Sequence, residues 1–415
     1  MAASELRISF PRLRARLDAL AELGAIDGGG CSRLALTDDD KAGRDLVVTW
    51  MRDLGLGVTI DGIGNVVATW PRERHEPPVM TGSHIDTVAT GGRYDGCLGV
   101  LAGLEVLETV ISAGIETERP LAVAFFTDEE GSRFAPDMLG SLVFAGGMAV
   151  EDALSAVGVD GAVLGEELER IGYAGIEPCP SLPPHAYVEL HIEQGPVLEA
   201  EGITIGAVTG VQGISWTEVV ITGQSNHAGT TPMNMRRDAA LAAFRVGTFV
   251  RELADELGHP QVATVGRLTL HPNLVNVVAA RATMTIDLRN TDEATLAEAE
   301  ARLFRFLDDL AADHDLTVEH RSLARFEPVE FDDSVVALVE ETALDHGHTV
   351  RRLPSGAGHD AQMLARVCPS GMVFVPSAKG ISHNPAEHTD DPDLEAGANV
   401  LLQCMLALAG VKGSS

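Results

Sequence analysis

The strongest constraint on the fold is an interruption. From about Gly210 to Phe326 the chain reads as strand "SWTEVVITG", helix "MRRDAALAAFRVGTFVRELADEL", strands "ATVGRLTL" and "RATMTIDLR", helix "EATLAEAEARLFRFLDDLAA" and strand "LTVEHRSLARF". That β-α-β-β-α-β order is the pattern of a self-contained ferredoxin-like unit. Apolar residues alternate along the strands and recur at helical spacing along the helices, so each element has one face to bury. On both sides of this block the rhythm is different. From Asp38 to Ser181 helix-like stretches such as "LGVLAGLEVLETVISAG" alternate with short apolar runs such as "PLAVAFFT", and the alternation resumes with "SVVALVEETALDHG", "TVRRLP", "HDAQMLARV" and "GMVFVPS". The expected architecture is therefore an α/β domain, a sheet covered by helices, built from residues 1–209 and 327–415, with residues 210–326 inserted into it.

A chain of 415 residues has room for two such domains. Its 30 Lys and Arg against 61 Asp and Glu leave a formal charge of -31. Such a charge repels phosphates and anionic lipid surfaces, so neither nucleic acid nor a membrane is an expected partner. Cys31, Cys97, Cys179, Cys368 and Cys404 are odd in number and scattered, which suits a reducing, cytoplasmic setting. The N-terminus has no signal-like apolar core, and no run reaches the roughly eighteen apolar residues of a spanning helix. Leu13, Leu17 and Leu20 at helical spacing point instead to a first helix packed on the body.

Chemistry-bearing residues gather at the ends of predicted strands. In "GSHIDTVATGGRYDG" strand alternation puts His84 and Asp86 on one face, an arrangement in which a carboxylate orients a metal-binding imidazole. Asp95 precedes the helix that begins near Leu98 and reads as a helix cap or as a ligand. In "AFFTDEEGSRF" an apolar strand ends in Asp128, Glu129 and Glu130. Three such acids form either a solvated turn or a site where one carboxylate binds a metal and its neighbour moves a proton. His191 of "YVELHIEQG" is a core histidine or a ligand, and His383 follows the strand "MVFVPS". Together His84, Asp95, Glu130, His191 and His383 form a donor set for two divalent ions such as zinc, with one carboxylate shared; manganese, cobalt or nickel would also be accepted.

The ordered series "GSHIDT", "GGRYDG", "DEEGSRF", "ELHIEQGPVLE", "NHAGTTPM", "RRDA", "VNVV", "DLR", "SGAGHDA" and "VPSAKGISHNP" resembles the amidase/carbamoylase branch of the dinuclear metallopeptidase superfamily. That branch includes N-carbamoyl-L-amino acid hydrolases, β-ureidopropionases and allantoate amidohydrolases. The resemblance implies that His84, Asp95 and His191 contact one ion and Asp95, Glu130 and His383 the other, with Glu129 as general base and Asp86 orienting His84. It implies that the inserted unit is a lid and dimerisation domain, so that a homodimer is expected, carrying substrate contacts at His227, Asn276 and Arg289. Gln194 and His359 match further substrate positions, His359 also standing where a helix cap would. The implied reaction is hydrolysis of the ureido group of an N-carbamoyl amino acid to amino acid, carbon dioxide and ammonia, with N-carbamoyl-β-alanine the leading single substrate. Allantoate hydrolysis is the alternative enzyme, and a non-catalytic binding or scaffold protein on the same fold is the alternative of another class.

Overall fold

The computed structural model describes residues 3–179 and 182–412. Ser181, which closes the first alternating stretch, and the extreme chain ends of the larger domain lie outside them. The chain divides into two compact units, one of Met1–Gly210 with Glu330–Ser415 and one of Val211–Val329. The strands in chain order are β1 (Gly57–Ile60), β2 (Val66–Trp70), β3 (Val79–His84), β4 (Leu121–Phe126), β5 (Ala186–Ile192), β6 (Ile205–Val211), β7 (Gly213–Thr222), β8 (Val262–His271), β9 (Arg281–Asn290), β10 (Thr317–Phe326), β11 (Val329–Glu330), β12 (Val350–Ser355) and β13 (Ser370–Val375).

In the first unit the sheet order is β1-β2-β4-β3-β5-β13-β6-β11, with β12 also on β6. Its middle is parallel: β3 runs alongside β4 and β5, and β13 alongside β5. β2 joins β4, and β6 joins β13, in antiparallel fashion. The four parallel strands are buried along their whole length. This is why β4 and most of β13 read as apolar runs and not as alternating ones, whereas β3 and β5 also carry the buried polar side chains of Ser83, His84, Glu189 and His191. Two helices, Cys97–Ala113 and Asp391–Ala409, are apolar nearly all round and correspondingly buried. The acid buried within the first of them, Glu105, accepts both prongs of Arg12 at 2.6 Å and the Ser9 amide at 2.8 Å. That docks the Phe10–Ala21 helix, whose Leu13, Leu17 and Leu20 are buried.

The second unit is a four-stranded antiparallel sheet of order β10-β7-β9-β8. The helices Ala239–Leu257 and Glu293–Asp313 share one core with it, including Val219, Val246, Leu253, Ile286, Leu303 and Leu307. Each helix starts on an aspartate whose side chain accepts from the first turn, Asp238 and Asp292. β8 is an edge strand with Val262 and Leu268 exposed, and Leu241 and Phe244 of the neighbouring helix are exposed as well. Among the described residues no helix is long and apolar enough to cross a membrane, and none of the five cysteines forms a disulfide.

Candidate metal centre

The carboxyl ends of the parallel strands are where an open α/β sheet presents loops to a ligand. His84 closes β3, Asp128–Glu130 follow β4, His191 stands one residue before the end of β5, and the loop after β13 carries His383. Asp95 arrives from the turn before the Cys97–Ala113 helix. It does not cap that helix: the cap residue is Gly96, at φ 64°, with no side-chain hydrogen bond.

The two oxygens of Asp95 face different partners. Oδ1 lies 3.2 Å from His191 Nε2 and 3.7 Å from His84 Nε2, and Oδ2 lies 3.5 Å from His383 Nε2. Glu130 Oε2 is 3.2 Å from the same His383 nitrogen. Two clusters result, His84–Asp95–His191 and Asp95–Glu130–His383, each with donor atoms within 4.8 Å of one another. The first is buried, whereas the His383 side chain in the second is half-exposed. His84 donates Nδ1–H to the Asp86 carbonyl at 2.9 Å and His191 donates Nδ1–H to the Ile192 carbonyl at 2.8 Å. Both rings therefore turn Nε2 towards Asp95, the nitrogen that a metal would take in exchange for its proton. Imidazole and carboxylate donors sharing one bridging acid fit two divalent cations.

Strand alternation does not continue as far as Asp86. β3 ends at His84, and the carboxylate of Asp86 stays 3.9 Å from His84 Nδ1, so its backbone carbonyl orients the ring. The carboxylate lies instead 3.4 Å from the amides of Glu129 and Glu130, holding the acidic turn. Glu129 Oε2 comes within 3.4 Å of His84 Nε2.

Burial opposes charge throughout this cluster, and the neighbours decide each sign. Burial, with Asp360, Glu130 and Asp86 adding to it, raises the Glu129 pKa well above that of free glutamate against the pull of His84. Burial would lower His84, but Glu129, Asp95 and Asp86 outweigh it and raise it well above free histidine. Burial would raise Asp95, but hydrogen bonds with His191 and His84 hold it well below the carboxylate range. The hydrogen bond to Glu130 raises His383 to about 9.

Gln194 sits at φ 58°, donates Nε2–H to Asp95 Oδ2 at 2.8 Å and donates its backbone N–H to Ser377 Oγ at 2.9 Å. Its buried Oε1 has no partner. His359 is the residue before the Asp360–Leu364 helix but makes no side-chain cap; its buried ring stands edge-on to His191 at 4.6 Å, with Nε2 2.8 Å from Ser355 Oγ. Glu189, His191 and His359 are also close together. There the Glu189 oxygens are taken by Ser83 at 2.7 Å, the Ala361 amide at 2.8 Å and Tyr187 at 3.2 Å, so this trio is internal support.

In the second unit His227 and Asn276 are brought together by backbone pairing: His227 bridges Val277, and the Ala228 amide donates to the Asn276 carbonyl at 2.9 Å. Both side chains are exposed. Arg289 lies on β9 with its fork engaged by Asp287, two residues away on the same face, through Nε at 3.0 Å and Nη2 at 2.9 Å. Asp287 is not among the residues to which the sequence points, nor are Ser382 and Glu387, which touch the Asp95 turn. The i,i+2 spacing of Asp287 and Arg289 was the available signal for the first.

Parallel strands that converge His, Asp and Glu on one shared carboxylate define a hydrolytic site, and the chain belongs to Peptidase family M20/M25/M40, which it matches over residues 80–407. It is 40% identical over 406 residues to an N-carbamoyl-L-amino-acid amidohydrolase of Rhizobium meliloti, covering 98% of each chain. It is 34% identical over 396 residues to an allantoate amidohydrolase of Bacillus subtilis, covering 95% and 96%. The solved structure of an amidase of the hydantoinase/carbamoylase family from Burkholderia multivorans matches with TM-score 0.94 and 49% identity, over 97% of this chain and 98% of that one. Within the family the chain is of the amidase/carbamoylase branch, a hydrolase of amide C–N bonds.

Proposed function

We propose that the chain hydrolyses N-carbamoyl amino acids, and the observation that carries this reading is the division of Asp95 between two histidine clusters beside Glu129. His84, Asp95 and His191 would hold one divalent ion and Asp95, Glu130 and His383 a second, zinc being the best match to these donors. When bound, such ions supply Lewis acidity for a carbonyl and ease deprotonation of water.

Glu129 Oε2 takes the proton of the attacking water and returns it to the departing nitrogen, a task suited to a carboxylate whose pKa burial has raised. Attack on the ureido carbon and cleavage of its bond to the amino-acid nitrogen give the free amino acid and carbamic acid, which falls to carbon dioxide and ammonia. The free Oε1 of Gln194 accepts a ureido N–H. His227 steadies the developing oxyanion, and Arg289 with Asn276 binds the substrate carboxylate, for which a planar guanidinium fork is the fitting donor. His359 backs the ring of His191. The relative from Rhizobium meliloti, an N-carbamoyl-L-amino-acid amidohydrolase, supports an N-carbamoyl-L-amino acid as substrate ahead of N-carbamoyl-β-alanine.

The exposed apolar edge of β8 with Leu241 and Phe244 supports a homodimer through the second unit, since an unpaired edge strand of this kind invites pairing with its own copy. Sedimentation equilibrium giving a monomer would remove that part. The catalytic reading is tested by ammonia release from N-carbamoyl-L-amino acids, N-carbamoyl-β-alanine and allantoate, with each metal added back. Glu129→Gln should lose about 10²-fold or more in turnover while keeping its metal content. Near-parental activity in that variant, or no ammonia from any ureido acid, overturns the reading.

A further inference from the structure

Beside the Asp95 turn lies a carboxylate with no part in the roles above. Glu387 is 5% exposed although it sits in a polar loop. Its Oε1 accepts the amide N–H of Tyr94 at 2.9 Å and of Asp95 at 3.2 Å. Its Oε2 lies 3.0 Å from Ser382 Oγ, and the same hydroxyl is 2.8 Å from Asp95 Oδ2. One side chain thus touches the turn that presents Asp95 and the residue next to His383. The seat is shaped for it: a Cβ at Gly92 would lie 2.1 Å from Glu387 Cδ and Oε1. The loop is fastened beyond it as well, by the Glu387 amide on the Asn384 carbonyl at 2.9 Å and by Thr389 Oγ1 on the Pro376 carbonyl at 2.8 Å.

We propose that Glu387 is a positioning residue that locks the Asp95 turn to the His383 loop and so sets the affinity of the outer of the two ion sites. The inference rests on the dinuclear reading of the site. The inner cluster leans on this tie through Asp95 alone, because its other two donors, His84 and His191, are fixed by the carbonyls of Asp86 and Ile192. The outer cluster leans on it through two donors, Asp95 and His383, and His383 sits at φ 53° on a loop with its side chain half-exposed. Orienting groups of this kind are worth about 10- to 100-fold in metal affinity.

The test is a cobalt(II) titration of the metal-free full-length chain, with chelator competition resolving the two dissociation constants. Glu387→Ala should bind the first ion as the parent does and the second about 10- to 100-fold more weakly. Glu387→Gln, which keeps the shape and one acceptor oxygen, should recover part of that loss. Gly92→Ala reaches the same phenotype from the other side, by displacing the carboxylate. Ser382→Ala, a smaller change, keeps the inference testable where Glu387→Ala does not fold. Parental affinity for both ions in Glu387→Ala and Ser382→Ala, or equal weakening of both ions in each variant, overturns the proposal. A parent chain that binds no ion overturns the dinuclear reading itself, and this inference with it.

Discussion

Gly96→Ala tests the site through its backbone, without replacing a ligand side chain. Gly96 has φ 64° and ψ -49°, a region that costs an L-residue on the order of 1–3 kcal/mol. Its added Cβ would also lie 2.4 Å from Cε1 and Nε2 of His84. Ordinary van der Waals contact begins at 3.4 Å, so the ring or the turn must give by 3.4 − 2.4 = 1.0 Å. Metal ligands tolerate displacements of about 0.2 Å, and a 1 Å misplacement near a reacting centre costs about 10²-fold in rate. Gly114→Ala at the other end of the same helix is the matched control, because Gly114 has φ 64° but nothing within 4 Å of its Cβ. Both variants carry a backbone penalty, and only one pushes His84. The assay is metal content after dialysis together with kcat on an N-carbamoyl amino acid, with circular dichroism confirming the fold. Gly96→Ala should lose most of one ion and about two orders of magnitude in kcat, and Gly114→Ala should lose neither. Equal behaviour of the two variants would refute the argument that the glycine exists to seat the His84 ring.

Three further outcomes follow from buried or paired charges. Arg44→Met should destabilise the larger unit by about 3–5 kcal/mol in denaturant unfolding, because it strands the fully buried Asp40 that Arg44 holds at 2.8 Å; Asp40→Leu with Arg44→Met should recover much of it, and a loss below about 1 kcal/mol would refute the pairing. Arg289→Lys keeps the charge but not the fork, so it should raise KM far more for a free carboxylate than for an amide-capped analogue. Asp287→Ala removes a carboxylate that holds the same fork and should raise KM about two- to tenfold at unchanged kcat, the cost of ordering a looser side chain; a fall in KM would show that Asp287 competes with substrate.

How much of this was legible in the sequence varies with the distance over which each contact acts. The strands were readable because 121–126 and 371–375 are short apolar runs bounded by turns and 79–84 opens on one, and the inserted unit because both of its helices keep one apolar face. The positions of His84, Glu130, His191 and His383 near strand ends follow from the same runs. Local geometry was less visible: alternation placed the Asp86 carboxylate beside His84, but the strand stops at His84 and the chain turns. Glu387 was not legible at all. In "NPAEHT" a glutamate reads as solvated, and its burial is decided by Gly92 and the Tyr94 amide, 293 residues away in the chain. The capture of Arg289 by Asp287 was open to the same alternation rule that misplaced Asp86, since β9 stays regular past both residues.

The position of β13 sets a timetable for the molecule. It fills the space between β5 and β6, pairing Ser370 with Tyr187 and Met372 with Val208, so the centre of the sheet stays open until the last part of the chain has been made. Contacts of such long sequence separation form late, after local ones. The second unit, whose pairings lie wholly within Val211–Val329, is under no such delay. His383 follows β13 by only a few residues, so the strand that completes the sheet delivers the last donor with it. A growing or truncated chain that lacks this segment has neither a closed sheet nor a full donor set, and hydrolytic competence arrives together with the finished fold.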